Sequence, residues 1–169
     1  MNIKIIPLDK VEIDGSVISL GMKKEIVEKT IGTGKLTGER YYYYNSEMAI
    51  DYDSDDKVEF IEFLGGVEGS LKPVIFNISA FDINADVLVE ILKSNNDGDI
   101  NDEEQGYSYA FLNISVGIYR ESTPTNILEM IEEMKANGVS IEDNEDLEFE
   151  KKKAEHWATI GIGVDGYYR

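Results

Sequence analysis

The twelve residues from Lys93 to Glu104 come nearest to a recognisable chemical motif. Set against the calcium-loop template, they offer oxygen ligands at the third, fifth, ninth and twelfth positions, with Gly98 at the sixth and Ile100 at the eighth. Lys93 stands where the first carboxylate is required, however, and a cation there opposes Ca²⁺ directly. The following Gly106-Tyr107-Ser108-Tyr109 reads as a strand rather than the exiting helix. An acidic surface loop is the better reading. Gly161-Ile162-Gly163-Val164-Asp165-Gly166 has the spacing of a dinucleotide fingerprint, which needs a helix straight after the glycines to hold the pyrophosphate. Tyr167-Tyr168-Arg169 supply none, so these glycines instead predict close packing or a bulge on the second face of a strand. Gly32-Thr33-Gly34-Lys35 fails as a phosphate loop, because Lys29 and Leu36 occupy positions that want Gly and Ser or Thr, and a helix precedes it.

Nucleophilic chemistry is equally poorly equipped. With no cysteine and a single histidine, His156 beside Glu155 and Trp157, the chain has no thiolate site, no imidazole-rich metal site and no usual hydrolytic triad. Carboxylates abound, but abundance on an acidic surface does not make an acid/base pair. The expectation is a protein without catalysis, cofactor or bound metal.

Arg40-Tyr41-Tyr42-Tyr43-Tyr44 is the most unusual segment. On a strand, Tyr41 and Tyr43 point one way and Tyr42 and Tyr44 the other, so one pair enters the core while the other stands outside. Exposed tyrosines give rigid contact area with a hydrogen-bonding tip. Clustering selects Tyr41, Tyr43, Asp51, Asp53, Asp55, Asp56 and Glu59 as a partner-binding surface. Asp97, Asp99, Asp102, Glu103 and Glu104 form a second patch.

The elements that must position these groups are short. Strands are expected at Asn2–Ile6 and Ser16–Ser19 around an Asp14-Gly15 turn, then a helix over Met22–Ile31 stopped by Gly32. Arg40–Tyr44, Glu47–Tyr52 and Val58–Phe63 form a meander with Asp53–Asp56 as a turn. In the second half come a strand at Val74–Ser79, a helix at Ala85–Ser94 capped by Asn84, and a strand over Tyr107–Tyr119. A helix then starts at Thr123-Pro124, with Ile127, Leu128, Ile131 and Met134 as its buried stripe, and ends at Asn137-Gly138. Residues 142–155 fit either a charged helix or part of a hairpin. Trp157–Val164 is the last strand. The fold class is α+β, with mainly antiparallel sheets and two to four packed helices, in one domain over 1–169. Ser16–Phe63 and Val74–Tyr119 run through similar elements, so residues 1–70 and 71–169 admit a degenerate two-fold repeat hinged at Gly65–Ser70.

The chain is long enough for a real core, and 42% apolar residues argue against disorder. Its 34 acidic against 16 basic residues give a net charge of −18. Both halves are acidic, −6 over 1–70 and −12 over 71–169, which disfavours nucleic acid and favours a basic protein partner. MNIKIIPLDK carries no signal-peptide pattern and no stretch suits a membrane span, so a soluble cytoplasmic protein is expected.

Tyr41–Asp53 (YYYYNSEMAIDYD), Lys57–Phe63 (KVEFIEF) and Trp157–Tyr168 (WATIGIGVDGYY) give the chain an overall character that resembles small bacterial immunity proteins. These are the partners of polymorphic toxins, including those of contact-dependent growth inhibition. The resemblance implies a cytoplasmic inhibitor that binds one cognate toxin domain, frequently a nuclease, and blocks its active site or substrate groove. A nuclease must present cations to phosphate, so a carboxylate-rich inhibitor can fill the same groove. The alternative is a small-molecule-binding or regulatory module without catalysis.

Overall fold

Alternation of apolar and polar side chains sorts the strands into two sheets, described for all 169 residues by a computed structural model. Strands β1 (Ile3–Ile6), β2 (Lys10–Ile13) and β3 (Ser16–Ser19) form a meander, followed by α1 (Lys24–Ile31). Next come β4 (Lys35–Thr37), β5 (Arg40–Tyr43), β6 (Met48–Tyr52) and β7 (Val58–Phe63). The second half holds β8 (Val74–Ile75), β9 (Ile78–Ser79), α2 (Ala85–Asn96), β10 (Ile100–Asn101), β11 (Ser108–Phe111) and β12 (Val116–Tyr119). Helices α3 (Pro124–Ala136) and α4 (Glu145–Ala154) then precede β13 (Thr159–Gly163).

The small sheet has the order β3-β2-β1-β8-β9, and the large sheet β10-β11-β12-β13-β7-β6-β5-β4. Only β1 and β8 pair in parallel. The halves run alike in outline: the three-stranded meander β1–β3 or the hairpin β8–β9 in the small sheet, then a helix, then a four-stranded meander in the large sheet. The meanders meet where β13 pairs with β7, and the α3–α4 hairpin is inserted just before β13. This is an α+β fold with two antiparallel-rich sheets and four helices.

Register fixes which face is buried. Pairing Ile162 with Ile61 and Ile160 with Phe63 stacks apolar side chains on one side of the large sheet. They join residues of the small sheet, α1 and α2 in one cluster of 26 buried side chains that spans both halves. Helices α3 and α4 have their own small core of Ile127, Leu147 and Ala154. No helix is long and apolar enough to cross a membrane.

Local chemistry explains the elements that differ from expectation. Residues 142–155 contain a helix because Asn144 caps it through the Leu147 N–H (3.0 Å), with acidic residues in its first turn and lysines in its last, matching the helix dipole. Val74–Ser79 is no single strand but a tight hairpin, with Phe76 and Asn77 both at positive φ. Tyr107–Tyr119 breaks likewise at Leu112–Ser115, where the buried Asn96 carboxamide accepts the N–H groups of Asn113 (2.9 Å) and Ile114 (3.2 Å). Leu128, assigned to a buried stripe, is 64% exposed, because α3 packs on α4 through Ile127, Met130, Ile131 and Met134.

Candidate protein-binding face

The register that buries Ile61 and Ile162 turns Phe60, Glu62, Gly161 and Gly163 to the opposite, outer face of the large sheet. Gly117, paired with Gly161, lies on that face too. The three glycines leave room for aromatic rings. A Cβ at Gly117 would collide with the Tyr168 hydroxyl, at Gly161 with the Phe60 ring and at Gly163 with Tyr167. Residues 164–169 turn back over the sheet, so that Tyr167 stacks on Phe60 at 4.6 Å and Tyr168 stands edge-on to both rings. Arg169 anchors the segment by donating to Asn113 Oδ1 at 2.8 Å.

Charge surrounds this aromatic cap. Arg40 donates to Asp51 (2.8 Å) and Glu62 (2.7 Å), one cation shared by two carboxylates. Burial alone would lower its pKa, but the two carboxylate hydrogen bonds outweigh that and hold it above the usual arginine value. Beside the cap runs a groove of about 380 Å³, bounded by Phe60, Glu62, Tyr119 and Tyr168 on the sheet and by Glu103 and Glu104 from the β10–β11 turn. Glu103 and Glu104 are exposed and form no ion pair, whereas Glu62 is held by Arg40.

The residues selected from sequence fall in several places. Tyr41 and Tyr43 face inward, which corrects the expectation of an exposed pair: opposite them on β6 stand Ile50 and Met48, and Tyr43 is only 5% exposed. The Tyr43 and Tyr52 hydroxyls bond each other (2.9 Å), and Tyr41 accepts from Lys24 (2.7 Å). Asp51 belongs to the outer face through Arg40. Glu59 lies at the register shift between Asp51 and Tyr52, and its charge reaches Tyr167 together with those of Asp51 and Glu62. Asp53 organises the β6–β7 turn by accepting the N–H groups of Lys57 and Asp55, which lowers its pKa. Asp55 and Asp56 lie in that turn against Lys23 and Lys24, away from the groove.

In the second patch, Asp97 and Asp99 shape the α2–β10 connection through backbone bonds to Asn113 and Asn96. Asp102 shares the β10–β11 turn with Glu103 and Glu104, its carbonyl accepting the Gln105 N–H. Lys93 to Asn96 belong to α2, so the calcium-loop register is not formed. No motif or clustering in the sequence singles out Arg40, Phe60, Glu62, Tyr119, Tyr167 or Tyr168. Their signal was the alternation itself, which put Gly117 and Gly161 on the face opposite the apolar residues.

The packing of the aromatic side chains on both faces gives two expected results. Gly161→Val should cost about 1–3 kcal/mol by forcing the Phe60 ring off the sheet. A urea midpoint equal to that of the parent protein would refute the seat assigned to Gly161. Burial also raises the phenol pKa of Tyr43, Tyr44, Tyr52, Tyr167 and Tyr168 above the ordinary value of 10.0. Unfolded tyrosines release their protons first, so stability is complete below about pH 10 and falls as pH rises beyond it. Phenolate absorbance should therefore show these five ionising in one steep step together with loss of circular dichroism. Gradual titration of these five in a protein that keeps its circular dichroism would contradict it.

No three His, Asp or Glu side chains converge in a way that could hold a metal ion. Compared with known proteins, the chain matches no family model, no curated sequence and no solved structure.

Proposed function

We propose that this protein is a non-catalytic inhibitor, an immunity protein that binds a basic toxin domain of nuclease type in the bacterial cytoplasm. The outer face of the large sheet supports that reading: aromatic rings seated on glycines border a groove whose free carboxylates, Glu103 and Glu104, lie at its edge. Tyr119 and Tyr167, 41% and 37% exposed, supply contact area that loses little entropy on binding, with buried Phe60 as their support, while the carboxylates and the overall charge of −18 speed encounter with a cationic surface. A partner that uses lysines and arginines to hold phosphate would lose access to its substrate once those cations faced this groove.

Co-expression tests the proposal. The chain should restore growth to cells producing the basic domain encoded beside it, and the two should co-purify as a complex that salt weakens. An unrelated neighbouring gene, with no basic protein bound, would remove the support.

A further inference from the structure

A second cavity, of about 400 Å³, lies between the Leu64–Glu68 linker, the end of β12 and α4. Its innermost side chains are Trp157, 1% exposed, and Arg120, 6% exposed. Arg120 donates from Nε to the Gly106 carbonyl (2.8 Å) and from Nη1 to the Ala154 carbonyl (2.7 Å), and its guanidinium lies 4.6 Å from the Trp157 ring centroid. No carboxylate pairs with it and Nη2 has no partner, although the protein carries 34 acidic side chains. Burial depresses its pKa, with Asp86 and Tyr109 only partly offsetting the effect. A buried cation without a counter-ion is costly, and an anion placed beside it would relieve that cost.

The carboxylates gather instead at the mouth. Glu68 and Glu121 are exposed there, and Glu150 holds Lys153 at 2.9 Å. All three raise the Lys153 pKa, so three negative charges surround one ammonium. Between the two ends, Gly66 is buried at φ +53° and its N–H finds no acceptor within the chain. The cavity is thus positive at its depth and negative at its opening, with Trp157, Leu64 and Val67 as apolar wall.

We propose that this cavity binds a small zwitterion, its carboxylate on Arg120 and its ammonium between Glu68 and Glu121. The volume lies in the range of small-molecule pockets and suits a free amino acid or a dipeptide. The site is separate from the outer sheet face, and it stands or falls independently of the inhibitor reading.

Trp157 is the only tryptophan, so its emission reports occupancy directly. Titration with millimolar leucine, γ-aminobutyrate and Leu-Leu should give a saturable change and a rise in Tm with at least one of them, and the pattern distinguishes α-amino acid, ω-amino acid and peptide. N-acetyl-leucine and leucinamide, each lacking one charge, should bind about tenfold more weakly than leucine or not at all. Glu121→Gln, at an exposed position, should keep the fold and weaken the responding zwitterion by a similar factor. A silent titration with all three zwitterions overturns the proposal, as does equal binding of N-acetyl-leucine, which would mark a simple anion site.

Discussion

Trp157→Ala is expected to remove about 3–5 kcal/mol of stability, a large part of an ordinary reserve of roughly 5–15 kcal/mol. Three contacts converge on this side chain. Its Nε1 donates to the Ala85 carbonyl at 2.9 Å, fastening the approach to β13 onto the first turn of α2. Its ring meets Tyr109 edge-to-face at 5.7 Å, and Arg120 lies over it while bridging Gly106 and Ala154. Truncation leaves a cavity, removes the indole bond that ties this segment to the Ala85 carbonyl and strips the guanidinium of its aromatic neighbour. Trp157→Phe keeps part of the volume and should recover part of the loss. Urea denaturation followed by far-ultraviolet circular dichroism measures both, since neither variant retains a tryptophan. An unshifted midpoint for the alanine variant would show that the loop and α4 do not depend on this ring.

Reversing two charges at the groove should have the largest effect on recognition. Glu103→Lys with Glu104→Lys is expected to slow association with the basic partner by about ten- to a hundredfold at low ionic strength. The difference should shrink as salt screens it. Both residues are exposed, so the fold should persist. Glu142→Lys with Asp143→Lys, in the α3–α4 connection, changes net charge equally on a segment that does not line the groove. Stopped-flow association with the purified toxin domain separates the two cases. Equal slowing by both pairs would assign the effect to total charge and remove the groove from the interface.

Elements with strong local signals were legible in the sequence. Asn84 and Thr123 cap their helices as their side chains predict, and Gly32 ends α1 at φ +91°. Alternation in Met48–Tyr52 and in Ile160–Ile162 named the core face correctly. Legibility failed where a strand was too short for periodicity, as in β4 and β10, or where a turn was written in residues that seldom adopt positive φ, as at Phe76. The tyrosine run failed differently. Alternation separates Tyr41 and Tyr43 from Tyr42 and Tyr44, but only pairing with β6 tells which pair is inside. The outer-face site depends on residues 60, 62, 119, 167 and 168 meeting through the β7–β13 and β12–β13 pairings, which no local pattern announces.

The position of β13 between the meanders has a consequence for synthesis. Until Thr159–Gly163 leave the ribosome, β7 presents the bare backbone of VEFIEF along the side away from β6, with Phe63 and Ile61 lacking Ile160 and Ile162. Nearly a hundred residues separate β7 from β13, so the nascent chain carries a sticky hydrophobic border while they are translated. Yield in a foreign host should therefore respond to chaperone supply and slower growth temperature far more than to the stability of the finished molecule.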